Sequence, residues 1–247
     1  DSVKLFADGG LSGATAYLKG EYRHGAGSGL ARLGEDDLFS LGLDAQQAGL
    51  RVCTHAIGDA AIDLVLSAYE RLGERGGRGH RLEHFGLPDH EQIARARRVG
   101  AIAAAQTVFV HALGPNFRRY LSEPYLARTY PIRSMLRGGL TVALGSDAPV
   151  VEDDRPLLGI QSAVTRKDRE GERIAPEESI PAADALFAYT MGSAAAAGDE
   201  GNRGSLTAGK WADLTVLDRN PCETAAEEIA SVRVVETYLS GRLAFRA

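Results

Sequence analysis

The sequence of 247 residues is long enough for one large domain, or for a barrel-sized domain with an appendage. Its 28 basic and 33 acidic side chains give a net charge of -5 and are spread along the chain, which argues against nucleic acid or a membrane surface as a partner. No apolar run approaches the roughly 20 residues that span a bilayer. The two cysteines, Cys53 and Cys222, are too few for a disulfide framework and favour a reducing compartment, so we predict a cytoplasmic protein.

The chain starts within a strand-like pattern. Its first residue is Asp1 rather than methionine, and apolar and polar residues alternate over residues 2–7. We therefore expect the chain to begin inside a domain, in which case a signal peptide would lie outside these residues.

Short apolar stretches alternate with stretches of helical periodicity through most of the chain. The predicted strands lie near residues 3, 51, 81, 102 and 141, and predicted helices cover residues 59–70, 88–98 and 132–137. Strands that alternate with helices are typical of βαβ units and a parallel sheet, so the predicted class is α/β. Because a closed (β/α)8 barrel needs eight strands, five strands do not make a closed barrel.

The last third of the chain has a different pattern. Residues 182–197 are rich in alanine and predict a long helix, with Pro181 at its start and Gly198 at its end. Further strands are predicted at residues 212–217, 232–239 and 243–245, with a hairpin turn at residues 240–242. These strands predict a small β appendage, and the absence of a low-complexity linker indicates that it packs directly on the preceding part.

Three residues of types that commonly bind metals, two histidines and one aspartate, follow predicted strands. His55, His84 and Asp147 stand at or just after the carboxyl ends of strands, which meet at one mouth in a barrel of parallel strands. Imidazole and carboxylate groups are natural zinc ligands. A single histidine at a strand end is more often a hydrogen-bonded structural residue, and for these three residues together the two interpretations carry about equal weight.

Several short motifs occur in one order along the chain. They are HAIGDAAID at residues 55–63, RLEH at 81–84, YPIRSML at 130–136 and GSDAPV at 145–150, together with residues 3–11 and 204–214. In this order they resemble the amidohydrolase superfamily, in the branch that includes N-substituted formamide deformylases. The resemblance implies the C-terminal part of a (β/α)8 barrel, about strands four to eight, in residues 1–200. It implies the C-terminal portion of a composite β-sandwich in residues 201–247.

The resemblance also implies a role for each residue of a metal site. Lys4 would be carbamylated and would bridge two metal ions, expected to be zinc. His55 and His84 would bind the second metal, and Asp147 would bind the first. Asp147 would also take the proton of a metal-activated hydroxide and pass it to the leaving amine, so that an amide-type C–N bond of a small molecule is cleaved.

Five further residues receive weaker assignments. Asp8, Asp59 and Glu83 flank the expected ligands and are candidates for fixing the imidazole tautomers, although capping of a helix explains Asp59 equally well. His111 is expected in a loop after the strand that ends at residue 106, on the protein surface or facing substrate. Arg133 is a candidate partner for a substrate carboxylate or for a buried acid.

One expected feature is missing from the sequence. The superfamily's first strand carries a His-x-His pair for the first metal, and no His-x-His occurs in these 247 residues. Proteins of this branch are also much longer, so we interpret the chain as a C-terminal fragment that is inactive alone. Its expected partner is a small-molecule substrate, and a homo-oligomer is possible. Specificity in such barrels comes from the βα loops, and residues 14–37 are expected to form one of them.

Two other functions remain open at this point. A mononuclear deaminase of the same superfamily would lack the carbamylated lysine, which the motif around Lys4 argues against. A non-catalytic regulatory or interaction protein on a degenerate barrel would also explain the absent His-x-His pair, because a fold does not determine a function.

Overall fold

The computed structural model describes residues 1–76 and 79–247. Strands and helices alternate along its first part in the order β1 (Ser2–Phe6), α1 (Glu35–Gln47), β2 (Arg51–Ala56), α2 (Asp59–Gly73), β3 (Arg81–His84), α3 (His90–Arg98), β4 (Ile102–Ala105), α4 (Val108–Tyr120), α5 (Glu123–Leu126), α6 (Ile132–Arg137) and β5 (Thr141–Leu144). The remaining elements are α7 (Pro156–Thr165), α8 (Ala182–Phe187), α9 (Ser193–Ala197), β6 (Leu214–Leu217), β7 (Val234–Leu239) and β8 (Arg242–Arg246).

The first five strands form one parallel sheet in the order β1-β2-β3-β4-β5. All five lie where the apolar stretches predicted them, which confirms the α/β class. Their register places Phe6, His55 and Glu83 side by side on adjacent strands. Because side chains alternate between the two faces of a strand, these three residues and Lys4 belong to one face of the sheet.

The opposite face of the sheet packs against the helices. Leu5, Val52, Leu82, Ala103 and Val142 are buried there, one from each strand. The longest helix of the layer is α2, whose apolar positions recur at three- and four-residue spacing and are buried. The hydroxyl of its one tyrosine, Tyr69, is hydrogen-bonded to Thr54 and to the Arg81 carbonyl in the sheet. Burial of this face is the main stabilising contribution to the fold.

Helix ends follow the glycine and capping patterns of the sequence, with one correction. The predicted stops of α3 and α6 are confirmed, since Gly100 and Gly139 both have left-handed backbones just beyond those helices. The start of α3 was expected near Pro88, and it lies two residues later. Asp89 caps the helix by accepting a hydrogen bond from the Gln92 amide at 2.8 Å, so Pro88 precedes the helix rather than opening it.

The alanine-rich segment is helical throughout, as predicted, but its middle turn, Ala188–Gly192, is a π-helix between α8 and α9. The strands β6, β7 and β8 form a separate antiparallel sheet. The 3₁₀ segment before β7 packs on α7: Ile229 is buried, and the side chain of Gln161 accepts a bond from the Ala230 amide. The C-terminal part of the chain therefore contacts the first part directly through this 3₁₀ segment.

The segment at residues 14–37 is irregular apart from one short 3₁₀ turn, although its last three residues already belong to α1. Within residues 1–76 and 79–247, no helix combines the length and the apolar character that crossing a membrane requires.

Candidate metal and catalytic site

A cavity of about 410 Å³ opens at the carboxyl ends of the parallel strands. Lys4, His55, His84 and Asp147, the four residues predicted to form the metal site, all line it. They come from β1, β2, the end of β3 and the loop after β5, so the fold brings together positions up to 143 residues apart in sequence.

His55 offers one nitrogen of its ring to the cavity. Its Nε2 lies 2.8 Å from the carbonyl oxygen of Gly9, and a carbonyl can only accept, so Nε2 carries the proton. The lone pair of a neutral His55 is therefore on Nδ1. The carboxylate of Asp8 lies 3.4 Å from the same Nε2 and is itself held by the amides of Tyr17, Ile57 and Gly58.

His84 is fixed in the opposite tautomer. Its Nδ1 lies 2.7 Å from Oε1 of Gln106, whose own Nε2 donates to the carbonyl of Ala104 at 3.0 Å. The second bond determines which way the amide points, so Oε1 accepts from Nδ1 and the lone pair of His84 is on Nε2. Burial, and then the nearby His55, lowers the pKa of His84 to about 3, which keeps the ring neutral at pH 7.

The two imidazole rings lie close enough to act on one ligand. Their centroids are 4.4 Å apart in an edge-to-face arrangement. Each ring has one nitrogen bonded to the protein and the other nitrogen free to accept, which is the arrangement that metal-binding histidines need.

Lys4 completes the polar end of the cavity. Its ammonium lies 5.2 Å from the centroid of the Phe6 ring, and within residues 1–76 and 79–247 it forms no salt bridge. An amine without an acidic partner is available for carbamylation, because no ion pair has to be broken first.

Asp147 follows β5 in a left-handed backbone conformation, with φ of 55°. This conformation points the chain sharply away from the strand and is tolerated by Asp and Asn better than by most residues. Burial raises the pKa of the Asp147 carboxyl, while the nearby Lys4 and His55 act in the opposite direction. A carboxyl group with a raised pKa is suited to accepting and releasing a proton.

These donors fit a metal ion only as a set that includes Lys4. In the described part of the chain, no three His, Cys, Asp or Glu side chains stand close enough together to hold a metal by themselves. Two neutral imidazoles with free lone pairs fit zinc, and a carbamate on Lys4 would add an anionic oxygen ligand.

The structure corrects two of the residues predicted to orient the histidines. The carboxylate of Asp59, in the first turn of α2, pairs with Arg128 at 2.6 Å. It also accepts hydrogen bonds from the Ala60 amide in the same turn and from the Lys19 amide in the loop after β1. Glu83 pairs with Arg81 at 2.7 Å. Both carboxylates lie beside strong cationic partners, and such partners attract them more strongly than a neutral imidazole does. Asp8 alone of the three lies next to a ring.

His111 was expected in a loop, and this prediction was wrong. The residue lies within α4, which runs through Gly114 and Pro115, two residues that usually interrupt helices. Pro115 has no amide hydrogen for the His111 carbonyl, and that carbonyl accepts from the Arg169 amide at 2.9 Å instead. The side chain lines a different cavity from that of the four predicted ligands.

Arg133 also lies outside the cavity of the predicted metal site. Its guanidinium donates to the carbonyl of Glu177, and the side chain borders an open groove beside α6. Neither expected partner, a substrate carboxylate or a buried acid, is therefore found for it among the described residues.

Gln106, the Gly9 carbonyl and Tyr130 were not anticipated as parts of the site. Gln106 directly follows the small-residue strand β4, and the signal in the sequence was a single polar amide residue after four apolar residues. A main-chain carbonyl such as that of Gly9 leaves no mark in a sequence. Tyr130 also lines the cavity, and it was recognised only as part of a motif.

Replacing Gln106 by leucine removes the hydrogen bond that holds His84 in one tautomer. Without the acceptor, the proton of the ring exchanges between Nδ1 and Nε2, and zinc affinity falls about 10- to 100-fold. The measurements are the ¹⁵N shifts of the histidine ring and a zinc competition titration. Gln92→Leu is the control, because Gln92 is also buried but bonds to Asp59, Asp63 and Asp89 instead. Unchanged ring shifts in Gln106→Leu would contradict the assignment.

Comparison with known protein families decides the ancestry of this site. A model described as "Amidohydrolase family" matches residues 1–245. The chain belongs to the amidohydrolase family. This confirms the resemblance drawn from the ordered motifs.

Two curated relatives illustrate the match. "Putative amidohydrolase YtcJ" of Bacillus subtilis is 34% identical over 248 residues, which cover 99% of this chain and 47% of that protein. "N-substituted formamide deformylase" of Arthrobacter pascens is 32% identical over 214 residues, covering 85% of this chain and 39% of that protein. The chain thus spans less than half the length of these relatives.

A solved structure shows the same arrangement of elements. The crystal structure of an uncharacterized metal-dependent hydrolase from Pyrococcus horikoshii aligns with a TM-score of 0.82 and 27% identity, covering 91% of this chain and 46% of that one. Together with the five parallel strands, this confirms the predicted fold, the C-terminal part of an amidohydrolase barrel with a small β appendage.

Proposed function

We propose that the site belongs to a metal-dependent hydrolase that cleaves an amide-type C–N bond of a small molecule. The observation that carries this proposal is the convergence of Lys4, His55, His84 and Asp147 on one cavity at the carboxyl ends of the strands. Membership of the amidohydrolase family supports the same reaction class.

Each of the four residues has a defined task in this proposal. His55 would hold zinc through Nδ1 and His84 through Nε2, the nitrogens that their hydrogen bonds leave free. Lys4 would bind as its carbamate, which is an anion, whereas its ammonium is not a ligand. Zinc held by these residues would lower the pKa of water and polarise the scissile carbonyl. Asp147 would accept the proton of the attacking water and deliver it to the nitrogen of the leaving amine.

Chelation tests the metal requirement of the whole protein that carries these residues. N-benzylformamide is the test substrate, because one relative is named "N-substituted formamide deformylase". We expect its hydrolysis to disappear after dialysis against a chelator and to return with zinc. The deaminase alternative predicts a single bound metal and no added carbamate mass on Lys4 in native mass spectrometry. Metal-free protein that still hydrolyses the formamide at the original rate would refute the proposal.

The remaining lining of the cavity is mostly apolar. Leu11, Ile57, Phe109, Leu113 and Phe117 surround the polar end, and Lys4 and Asp147 are the charged lining residues among those described. Apolar walls favour a substrate with an uncharged substituent, because a buried charge without a partner is costly.

We therefore expect N-benzylformamide to be hydrolysed with at least about 10-fold higher kcat/KM than its 4-carboxybenzyl analogue, a factor equivalent to about 1.4 kcal/mol. The two compounds differ only in the charge, so the comparison isolates it. Equal kcat/KM values would show that the apolar walls do not select the substrate.

A further inference from the structure

Tyr130 has a backbone conformation that tyrosine seldom adopts. Its φ is 48°, in the left-handed region, where a bulky side chain costs about 1 kcal/mol or more. The conformation is held by specific bonds: the Tyr130 amide donates to the Gly86 carbonyl at 2.7 Å, and the Tyr130 carbonyl accepts from the amide of Ile132 at 2.9 Å. Strain of this kind persists where the surrounding structure fixes it, and it is common at functional sites.

A fully buried arginine holds the same stretch of main chain. The guanidinium of Arg166 donates to the carbonyls of Thr129 at 2.6 Å, Tyr130 at 3.2 Å and Ile174 at 3.0 Å, and its side chain has no exposed surface. Within residues 1–76 and 79–247 no carboxylate forms a salt bridge with it. Burial lowers the pKa of Arg166 to about 10.

A cation buried without a carboxylate partner is costly to the fold. A leucine at this position would avoid that cost, but it would leave the carbonyls of Thr129 and Ile174 without donors and the carbonyl of Tyr130 with the Ile132 amide alone. The arginine therefore serves mainly to fix the backbone at Thr129 and Tyr130.

The side chain carried by this strained backbone faces the proposed reaction site. Tyr130 is 1% exposed, lines the cavity with Lys4 and Asp147, and lies with its ring centroid 6.2 Å from those of both Phe109 and Phe117. Its hydroxyl has no hydrogen-bond partner among the side chains and main chain of the described residues, and it is not sealed from the cavity. A buried tyrosine hydroxyl ordinarily finds a partner.

We propose that the hydroxyl of Tyr130 donates a hydrogen bond to the carbonyl oxygen of the bound substrate and to the oxyanion that develops from it. The inference rests on the proposed function, because it assumes that a carbonyl compound occupies the cavity. The hydroxyl keeps its proton throughout, so the step forms and breaks no covalent bond at Tyr130. A donor fixed in advance toward a developing negative charge stabilises it more than a mobile one does.

A purely structural role does not account for these features together. Phenylalanine would fill the space between Phe109 and Phe117 equally well and would leave no hydroxyl without a partner. Replacing Tyr130 by Phe is therefore expected to preserve the fold while it removes the donor.

The kinetic test compares Tyr130→Phe with Tyr189→Phe in the whole protein. Tyr189 is largely buried but does not line the cavity. With N-benzylformamide, Tyr130→Phe is expected to lower kcat about 100- to 1000-fold with KM changed less than threefold, because the bond strengthens in the transition state. Tyr189→Phe should leave both parameters unchanged. A kcat that Tyr130→Phe leaves within threefold of the wild type would overturn the proposal.

A binding test does not depend on turnover. The protein is labelled with ¹³C at tyrosine Cζ, and the chain contributes eight tyrosine signals. The signal that is absent from the spectrum of Tyr130→Phe is that of Tyr130. Adding benzylphosphonate, a tetrahedral oxygen-rich probe, to the zinc-loaded protein is expected to shift that signal, and Tyr130→Phe should bind the probe at least about 10-fold more weakly, as for loss of one charged hydrogen bond.

The two proposals fail in different ways. A Tyr130 signal that does not move at high probe concentration, or equal affinities for wild type and Tyr130→Phe, would overturn the role of Tyr130. A protein that shows the expected shift but hydrolyses no formamide would leave that role in place and refute the proposed reaction.

Discussion

Asp147→Asn is expected to lower the kcat of the whole protein about 1000-fold, within the range typical of a lost general acid–base. Asparagine has nearly the same shape and tolerates the left-handed backbone at this position, so the fold should persist. What it loses is the ability to take a proton from water and return it to the leaving nitrogen. The measurement is kcat with N-benzylformamide, accompanied by circular dichroism to confirm the fold.

The matched control for this variant is Asp153→Asn. Asp153 pairs with Arg155 on the surface and does not line the cavity. Its replacement should change kcat less than twofold. If Asp147→Asn retained a tenth or more of the wild-type kcat, Asp147 would not be the acid–base residue.

Arg166→Met should produce the largest loss of stability among the variants considered. Methionine fills similar space but donates no hydrogen bond, so the carbonyls of Thr129, Tyr130 and Ile174 lose a shared cationic donor. The carbonyls of Thr129 and Ile174 would be left without partners, at about 1–3 kcal/mol each, while that of Tyr130 keeps the Ile132 amide. Removal of the buried charge offsets part of this cost. We expect the free energy of unfolding to fall by about 3 kcal/mol in urea denaturation.

Arg155→Met provides the comparison for Arg166→Met. Arg155 is exposed and pairs with Asp153, and surface pairs of this kind contribute about 0–1 kcal/mol. A loss in Arg166→Met no larger than that in Arg155→Met would mean that the buried guanidinium contributes nothing net to the fold.

The sequence predicted the strands well because their signal is local. Apolar runs of small or β-branched residues bounded by glycine, such as those at β4 and β5, are short-range patterns, and the structure has strands at these positions. The positions of His55, His84 and Asp147 relative to those strands followed from the same patterns. Parallel topology then brings the ends of all strands to one mouth, so convergence of the site was predictable as well.

The unpredicted features depend on contacts between distant segments. The helix that contains His111 continues through Pro115 because Arg169, far along the chain, supplies the missing donor. The partners of His55 and His84 are a main-chain carbonyl and an amide on another strand, whereas the sequence favoured neighbouring acids such as Glu83. That carboxylate pairs with Arg81 two residues away. These hydrogen-bond partners leave no periodic pattern in the sequence from which they could be predicted.

Diffraction at the zinc absorption edge tests the central claim most directly. Crystals of this chain grown with zinc and bicarbonate should give an anomalous peak in the cavity, with Nδ1 of His55, Nε2 of His84 and extra density on Lys4 Nζ around it. His84→Ala crystals should lose the peak. A wild-type map with no zinc between these residues, or with zinc bound through Nε2 of His55, would contradict the account.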